Sequence, residues 1–439
     1  MRKEKMTILS ATDFGAAGDG VTMNTDAVEK AVAKLEKEGG GELVFPAGIF
    51  LAGHIRLIDN MTLRLEQGAV LRASGRIADY YLDTTLDLRK YSQHYYFLHG
   101  RGLRNVKICG PGIIEGNGHS FWQEEYYCGA RFGELPTATS VLQYHVLKPK
   151  DERPALIYLA DCTQITLEDL TIREAAAYTI WVNSCTDVLI RKIIVRNPSY
   201  GPNTDALDID CSQNVVIENC DIETGDDCVA LKSDYHRVES NKSCENIIIR
   251  YCHFQSPTCA LRIGYEGDGD IRNVLFTDTL IENTRHGIDV LSIVPVCPLR
   301  IEHGTTVERC RFANIRMRNV GQAFFIWAGN EPPHTEHSGH LEDFVFENMG
   351  IEAVGSSFIG CEKQGSIRKL IFRKIRMRVA DLPDWAPTTD FSIMPSHWGG
   401  WIKAGGLHFH NVSDADLQDC EIKCEQPGFM PVEYSFSKI

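Results

Sequence analysis

Three aspartates, Asp205, Asp226 and Asp227, have the types and spacing that acid–base chemistry needs. They lie in the segments NTDALDID (203–210) and GDDCVALKS (225–233), and Asp226 follows Asp205 by 21 residues. Crowded carboxylates raise one another's pKa, so one group can hold a proton while another is ionised. The pattern therefore favours an enzyme with a general acid and a general base. A solvated turn or a cation site is the alternative without catalysis.

The elements around these aspartates repeat along the chain. From about residue 160 onward, a short polar segment leads into two brief strands with apolar residues at alternate positions. Copies include CTQITLEDLTI (162–172), CTDVLIRKIIV (185–195), SQNVVIENCDI (212–222) and CENIIIRYCHF (244–254). Such repeats predict the coils of an all-β solenoid, a single-stranded right-handed parallel β-helix forming one domain over residues 1–439. Neighbouring coils lie ~4.8 Å apart, so we expect the three aspartates in one patch on the outer surface.

The segment at 24–38 predicts an amphipathic helix that covers the first coil. Val28, Val32 and Leu35 recur at helical spacing, Thr25 is a plausible N-cap, and three glycines follow the helix. Loop insertions are predicted at 76–100, 119–153, 234–243 and 380–410.

The last predicted loop is rich in tryptophan, and it includes Trp398 and Trp401. Loops on a rigid scaffold commonly carry binding residues. We expect these indole rings either to bind sugar rings or to pack the loop onto the coils.

Several segments resemble those of glycoside hydrolase family 28, the polygalacturonase-like family of pectin-lyase-type β-helices. They are the first coils GGGELVFPAGIFLAGHIRLIDNMTLRLEQGAVLRAS (39–74), GPGIIEGNGHSFW (110–122), and the NTD and GDD motifs one coil apart. The resemblance implies hydrolysis of a glycosidic bond with inversion. Asp226 would be the general acid, Asp205 and Asp227 would hold and activate the water, and neither a metal nor a cofactor would be needed. Inverting pairs typically stand ~6.5–9.5 Å apart, which leaves room for that water.

The sequence departs from the family where its cations should bind a uronate. Cys259 stands at the histidine of the family's Gly-His-Gly motif, and Asp289 and Leu291 replace the arginine and lysine of its Arg-Ile-Lys motif. An arginine suits a carboxylate, whereas an aspartate repels one. We therefore expect a neutral or atypical sugar at the cleavage subsite, where Asp289 could accept hydrogen bonds from hydroxyl groups.

Three further residues are candidates for substrate binding. Arg262 would either replace a lost cation or pair with Glu266 or Asp268. His286 would either replace the missing histidine from the next coil or belong to a loop, and His54 would face the cleft from an early coil.

Charge and composition limit the partners. A net charge of −14 argues against nucleic acid, and no apolar run is long enough to span a membrane. The fifteen cysteines include no CxxC pair, which favours reduced thiols inside the coils over a metal site. We expect an oligosaccharide substrate and a monomer or weak homodimer. The absence of a signal-peptide pattern predicts a cytoplasmic location, or secretion if a leader was removed.

Other activities remain open at this stage. An ordinary polygalacturonase is the nearest alternative, although the missing cations count against it. A β-helix lyase or epimerase would also want a cation at the uronate carboxylate. A non-catalytic sugar-binding β-helix would have no need of the carboxylate cluster. Since one fold hosts many functions, the fold does not separate these hypotheses.

Overall fold

The chain folds into a stack of parallel coils, as the repeats predict. The computed structural model describes residues 6–84, 94–128, 141, 145–234, 243–294, 301–330, 337–380, 405–425, 427–428 and 430–436. A sheet of 35 strands, almost all paired in parallel, winds around one core. The predicted all-β parallel β-helix is thus confirmed.

The strands fall into three stacks, which together wall each coil. The first stack contains Ile8–Ser10, Gly41–Phe45, Met61–Leu65, Arg104–Cys109, Thr163–Glu168, Thr186–Arg191, Gln213–Glu218, Cys244–Arg250, Asp270–Thr277, Thr306–Ala313 and Ala415–Gln418. The second contains Asp19–Met23, Gly48–Ala52, Ala69–Ala73, Ile113–Glu115, Thr171–Arg173, Ile194–Arg196, Asp221–Glu223, His253–Gln255 and Glu421–Cys424. Leu341–Ala353 and Ile367–Val379 run through both of these stacks.

The third stack, hereafter the site stack, carries the acidic segments. It contains Ile55–Arg56, Tyr95–Arg101, Pro154–Ala160, Ile180–Asn183, Leu207–Asp210, Val229–Ser233, Cys259–Gly267, Ser357–Cys361, Leu407–His410 and Val432–Ser435. Leu280–Val294 and Arg316–Asn330 enter it from the second stack. Two pairings are antiparallel: Tyr81–Leu82 adds to the site-stack strand Tyr95–Arg101, and Trp122–Cys128 forms a separate hairpin with His145–Pro149. Short 3-10 helices span Ala11–Phe14, Ile77–Asp79 and Gly118–Phe121.

Like residues stack on like inside the coils, because a parallel register repeats each position in the next coil. The rings of Phe312, Phe346 and Phe372 follow one another at centroid distances of 4.7 and 4.6 Å. Burial of such side chains contributes about 1.5–3 kcal/mol each and is the main force that holds the coils together. The thirteen cysteines described as free are mostly buried, in line with their expected place in the coils.

Several first-stack strands have an asparagine in the left-handed backbone region near their start. Asn214, Asn246 and Asn273 have φ of 56, 59 and 57°, a conformation that asparagine tolerates better than most residues. Their side-chain amides form a ladder: Asn273 donates to Asn246 at 3.0 Å and Asn246 donates to Asn214 at 3.1 Å. The ladder gives the stacked side-chain amides hydrogen-bond partners in the neighbouring coils.

The predicted capping helix is present as α1, Thr25–Lys37, with Val28, Ala31, Val32 and Leu35 buried. The prediction of Thr25 as the N-cap was wrong, because Asn24 precedes the helix and Thr25 is its first residue. The Thr25 hydroxyl instead accepts a hydrogen bond from the backbone of Gly53 at 2.9 Å, so it ties the helix to a neighbouring coil.

The predicted insertions are only partly loops. Segment 76–100 contains a 3-10 helix and strand residues, 119–153 contains the hairpin of Trp122–Cys128 and His145–Pro149, and 380–410 ends in Leu407–His410. Residues 235–242 and 381–404, with Trp398 and Trp401, lie outside the described residues. Within the described ranges, no helix has the length and apolarity to cross a membrane.

Candidate active site

The register of the site stack brings the acidic segments together. Asp208 pairs with Ala230, Ala230 with Arg262, and Arg262 with Asp289, on four consecutive strands. Apolar neighbours such as Leu207 point into the core, so the alternating polar side chains must point outward. The outer face of these strands therefore concentrates the charged residues.

Asp205, Asp226 and Asp227 form the centre of the site. One carboxylate oxygen from each lies within 4.8 Å of those of the others, and the side chains are buried. The Ala206 N–H donates to the Asp227 carbonyl at 2.9 Å, which ties the two coils together at this point. The spacing is shorter than the ~6.5–9.5 Å expected for an inverting pair, so distance alone does not assign the stereochemistry.

Burial and mutual repulsion shift these carboxyl groups unequally. Burial and the adjacent Asp227 charge raise the pKa of Asp226 to about 7. Burial, followed by the charges of Asp208 and Asp226, raises the pKa of Asp205 well above its ordinary value. Burial also raises the pKa of Asp208, to about 6, although the neighbouring Lys232 opposes this. The cluster can therefore hold a proton near neutral pH.

Arg262 binds the cluster directly. Its Nε and Nη2 atoms donate to the two carboxylate oxygens of Asp227 at 2.5 and 3.0 Å, and its Nη1 lies 3.2 Å from Asp289 Oδ2. The expected pairing with Glu266 or Asp268 is not what the structure shows. Asp227 thus has a bidentate cation partner, which fixes the orientation of its carboxylate.

Lys232 is a functional candidate that the sequence analysis missed. Its ammonium group lies 2.8 Å from Asp208, 2.6 Å from Glu266 and 3.7 Å from Asp205, and it donates to the Tyr178 hydroxyl at 3.2 Å. Burial alone would lower the pKa of Lys232, but Asp208 and Glu266 raise it well above its ordinary value. Its position two residues after Ala230, on the same strand face, could have indicated this role.

His286 and Cys259 occupy adjacent strands in register, and both are buried. His286 Nδ1 lies 3.0 Å from Asp289 Oδ2, so the histidine contacts a site residue rather than belonging to a loop. Burial lowers the pKa of His286 although Asp289 opposes this, which favours a neutral ring. Burial raises the pKa of the Cys259 thiol well above its ordinary value.

Two apolar clusters flank the charged site on the same face. On the N-terminal side, the rings of Tyr96, Tyr158, Tyr178 and Trp181 pack together, and Trp181 pairs with Asp208 in the strand register. On the C-terminal side, Leu291 belongs to a second cluster, with Ile293, Phe325, Trp327 and Phe358. The sequence analysis singled out neither cluster, because outward aromatic residues alternate there like ordinary strand residues.

The structure does not bring His54 to the carboxylates. Its ring Nδ1 lies 3.1 Å from the Asp79 carbonyl and its ring centroid 5.9 Å from that of His99. Its strand, Ile55–Arg56, is separated from Leu207–Asp210 by three strands of the site stack. Four strand spacings amount to about 19 Å, so His54 does not contact the aspartates, and its expected place in the cleft stays a prediction.

The three aspartates also have the oxygen donors that a cation could use, as does a second group of Glu308, His340 and Glu342 on the first stack. At the aspartate cluster, Arg262 and Lys232 already supply two positive charges.

Comparison with known proteins places this geometry in context. The family model of glycosyl hydrolases family 28 matches residues 81–349. A probable polygalacturonase of Vitis vinifera is 30% identical over 370 residues, covering 78% of this chain and 70% of that protein. An exo-poly-alpha-D-galacturonosidase of Dickeya chrysanthemi is 27% identical, covering 73% of this chain and 56% of that protein. The structure of a family 28 exopolygalacturonase from Yersinia enterocolitica is similar in fold, with a TM-score of 0.70 at 19% identity over 98% of this chain and 77% of that one.

Proposed function

Because this chain belongs to glycosyl hydrolases family 28, we propose that it hydrolyses a glycosidic bond in a pectin-related oligosaccharide at the Asp205, Asp226 and Asp227 cluster. The observation that carries the proposal is the burial of three carboxylates within 4.8 Å of one another, with the pKa of Asp226 raised to about 7. Such a group still holds a proton close to neutral pH, as a general acid must.

The three aspartates of the cluster have different roles in the proposed reaction. Asp226 acts as the general acid and gives its proton to the leaving glycosidic oxygen. Asp205 and Asp227 bind the attacking water, and Asp227, whose two oxygens are bound by Arg262, accepts its proton. Attack from the face opposite the leaving group inverts the anomeric carbon.

The charge pattern favours a neutral or atypical sugar at the cleavage subsite. Both cations of the cluster, Lys232 and Arg262, are already bound by carboxylates. Asp289 adds a further negative charge, and its Oδ1 is buried without a hydrogen-bond partner. A sugar hydroxyl could donate to that oxygen, whereas a uronate would be repelled.

Exo action is the second part of the proposal. The relative from Dickeya chrysanthemi is named as an exo-acting enzyme. The aromatic cluster of Tyr96, Tyr158, Tyr178 and Trp181 lies directly on the N-terminal side of the carboxylates and would limit the length of substrate bound there.

Ordinary polygalacturonase activity is the second candidate, and the names of the relatives favour it. The purified protein is incubated with galacturonan oligomers and, separately, with neutral pectic side-chain oligomers, and products are followed by proton NMR. We expect cleavage of a neutral bond with inverted configuration. Efficient cleavage of galacturonan instead would refute the neutral subsite but keep the hydrolase.

Asp226→Asn tests the catalytic assignment in the same assay. It should lower kcat by about 10²–10⁴-fold, which is what a positioned proton donor contributes. The matched control is Asp187→Asn, an exposed position on the first stack, which should retain full activity. Wild-type turnover by Asp226→Asn would refute the assignment.

A further inference from the structure

A chain of buried charged groups connects the candidate base to the next two coils. From Asp227 it passes to Arg262 at 2.5 Å, from Arg262 to Asp289 at 3.2 Å, and from Asp289 to His286 at 3.0 Å. None of the four side chains is more than about a tenth exposed. Burying so many ionisable groups is costly unless they are paired, so a connected arrangement is required.

The strand register explains how Arg262 reaches Asp227. Arg262 lies between Ala230 on one side and Asp289 on the other. The small Ala230 side chain leaves space for the Arg262 side chain on the strand that precedes it, and Asp289 attracts Nη1 from the strand that follows. The guanidinium plane is thereby fixed with Nε and Nη2 directed at the two oxygens of Asp227.

The same contacts argue against Arg262 as a ligand for a substrate carboxylate. Binding a carboxylate with a bidentate fork takes two donors, and Asp227 occupies Nε and Nη2. The third nitrogen, Nη1, faces Asp289. Asp289 in turn is held by His286, whose Nδ1 can donate to it from the neutral ring.

We propose that Arg262, Asp289 and His286 are positioning residues: Asp289 and His286 hold the guanidinium in place, and the guanidinium fixes the orientation of the Asp227 carboxylate as the base, so that Asp226 is the proton donor. The proposal rests on the proposed function, because it assigns a cause to the division between acid and base. It replaces the substrate-binding role expected for Arg262 and His286 from the sequence, and it gives the Oδ2 atom of Asp289 a positioning role.

Other charged groups face the same cluster, and they remain in place when Arg262 or Asp289 is substituted. They are Asp205 and Asp208 on one side, and Lys232 and Glu266, which pair with each other, on the adjacent part of the face. Arg285 lies beside His286 in the sequence and contributes a further positive charge that lowers the pKa of His286. Because these groups stay in place, a change at Arg262 or Asp289 alters a single charge.

The test compares pH profiles of kcat/KM. Asp289→Asn removes a negative charge beside Arg262, so both limbs of the profile should move to lower pH by about one unit. Arg262→Met removes the positive charge and should move both limbs to higher pH. The double variant removes one charge of each sign, so its limbs should stay near those of the wild type while kcat remains low. Limbs that stay in place in Asp289→Asn would overturn the proposal.

Arg262→Lys keeps the positive charge but removes the pair of N–H donors that binds both oxygens of Asp227. We expect kcat to fall roughly tenfold, the cost of about 1.4 kcal/mol of lost orientation, with the pH limbs and KM unchanged. An increase in KM for acidic oligosaccharides alone, with kcat unchanged, would show that Arg262 binds substrate instead.

A readout that does not need turnover separates this proposal from the proposed function. In the full-length protein with isotope-labelled aspartate, NMR titration of the carboxyl carbons reports the pKa of Asp226 directly. A lower pKa of Asp226 in Asp289→Asn than in the wild type supports the positioning proposal even if no tested sugar is cleaved. An unchanged pKa refutes it even if the enzyme is a hydrolase.

Discussion

The substitution Asp226→Asn should stabilise the protein while it abolishes activity, and the gain should depend on pH. Asp226 is buried and its pKa is about 7, compared with 3.8 for an ordinary aspartate. Between these values the folded state holds a proton that the unfolded chain has released. The stability of the wild type therefore falls as pH rises from about 4 to about 7, and the full cost is present above pH 7.

The magnitude follows from the size of the shift. Because one pKa unit corresponds to about 1.4 kcal/mol, keeping Asp226 ionised in the folded state costs on the order of 4 kcal/mol at pH 8. Asparagine has nearly the same shape, carries no charge and can still accept the hydrogen bond that Asp227 N–H donates at 3.0 Å. An unfolding entropy of about 2 cal/mol/K per residue converts this gain into a rise in Tm of about 4 °C.

The assay is calorimetric unfolding of wild type and Asp226→Asn at pH 4 and at pH 8. At pH 4 the wild-type group is protonated and resembles asparagine, so the two Tm values should nearly coincide. Asp187→Asn, an exposed position, should show no gain at either pH. An equal difference at both pH values, or a loss of stability at pH 8, would refute the claim that burial and charge crowding raise this pKa.

Substitutions at three further positions test the charge pairing at the site and the packing of the coils. Lys232→Met leaves the buried Asp208 and the partly buried Glu266 without this cation, so urea unfolding at pH 7 should show a loss of about 3–5 kcal/mol. The loss should be smaller at pH 5, where Asp208, with its pKa raised to about 6, can take up a proton; equal losses would contradict the charge argument. Leu35→Ala in the capping helix removes a fully buried side chain and should cost about 2–5 kcal/mol by the same measurement, whereas a neutral result would mean that the helix does not seal the first coil. Asn246→Ala should cost about 1–3 kcal/mol, because it places alanine at φ 59° and breaks the amide ladder; Asn246→Gly should cost less, and the reverse order would show that backbone strain is not the main term.

Several features of the protein could be predicted from local sequence because they depend on periodicity. Alternating apolar residues identify strands, and their recurrence identifies coils, since each coil must bury the same positions as the one below it. The spacing between Asp205 and Asp226 is close to one coil, so their proximity follows from the repeat alone. Helical spacing likewise located α1 to within one residue at each end.

Other features could not be predicted because they depend on how side chains from different coils pair. Arg262 had acidic neighbours nearby in the sequence, yet the register places it between Asp289 and the Asp227 carboxylate, which lies 35 residues earlier. Lys232 appeared to be an ordinary strand residue, but it binds Asp208 and Glu266 from strands on either side.

The sequence by itself therefore determined the β-helix, the helix at its end and the proximity of the acidic residues, since these follow from periodic burial of apolar side chains. The tertiary structure alone decided which cation holds which carboxylate, that His54 lies far from the cluster, and that Asp226 holds a proton near neutral pH. The physical reason is that electrostatic interactions depend on distances of a few ångströms and on burial, and both are set by the stacking of coils that are remote in sequence.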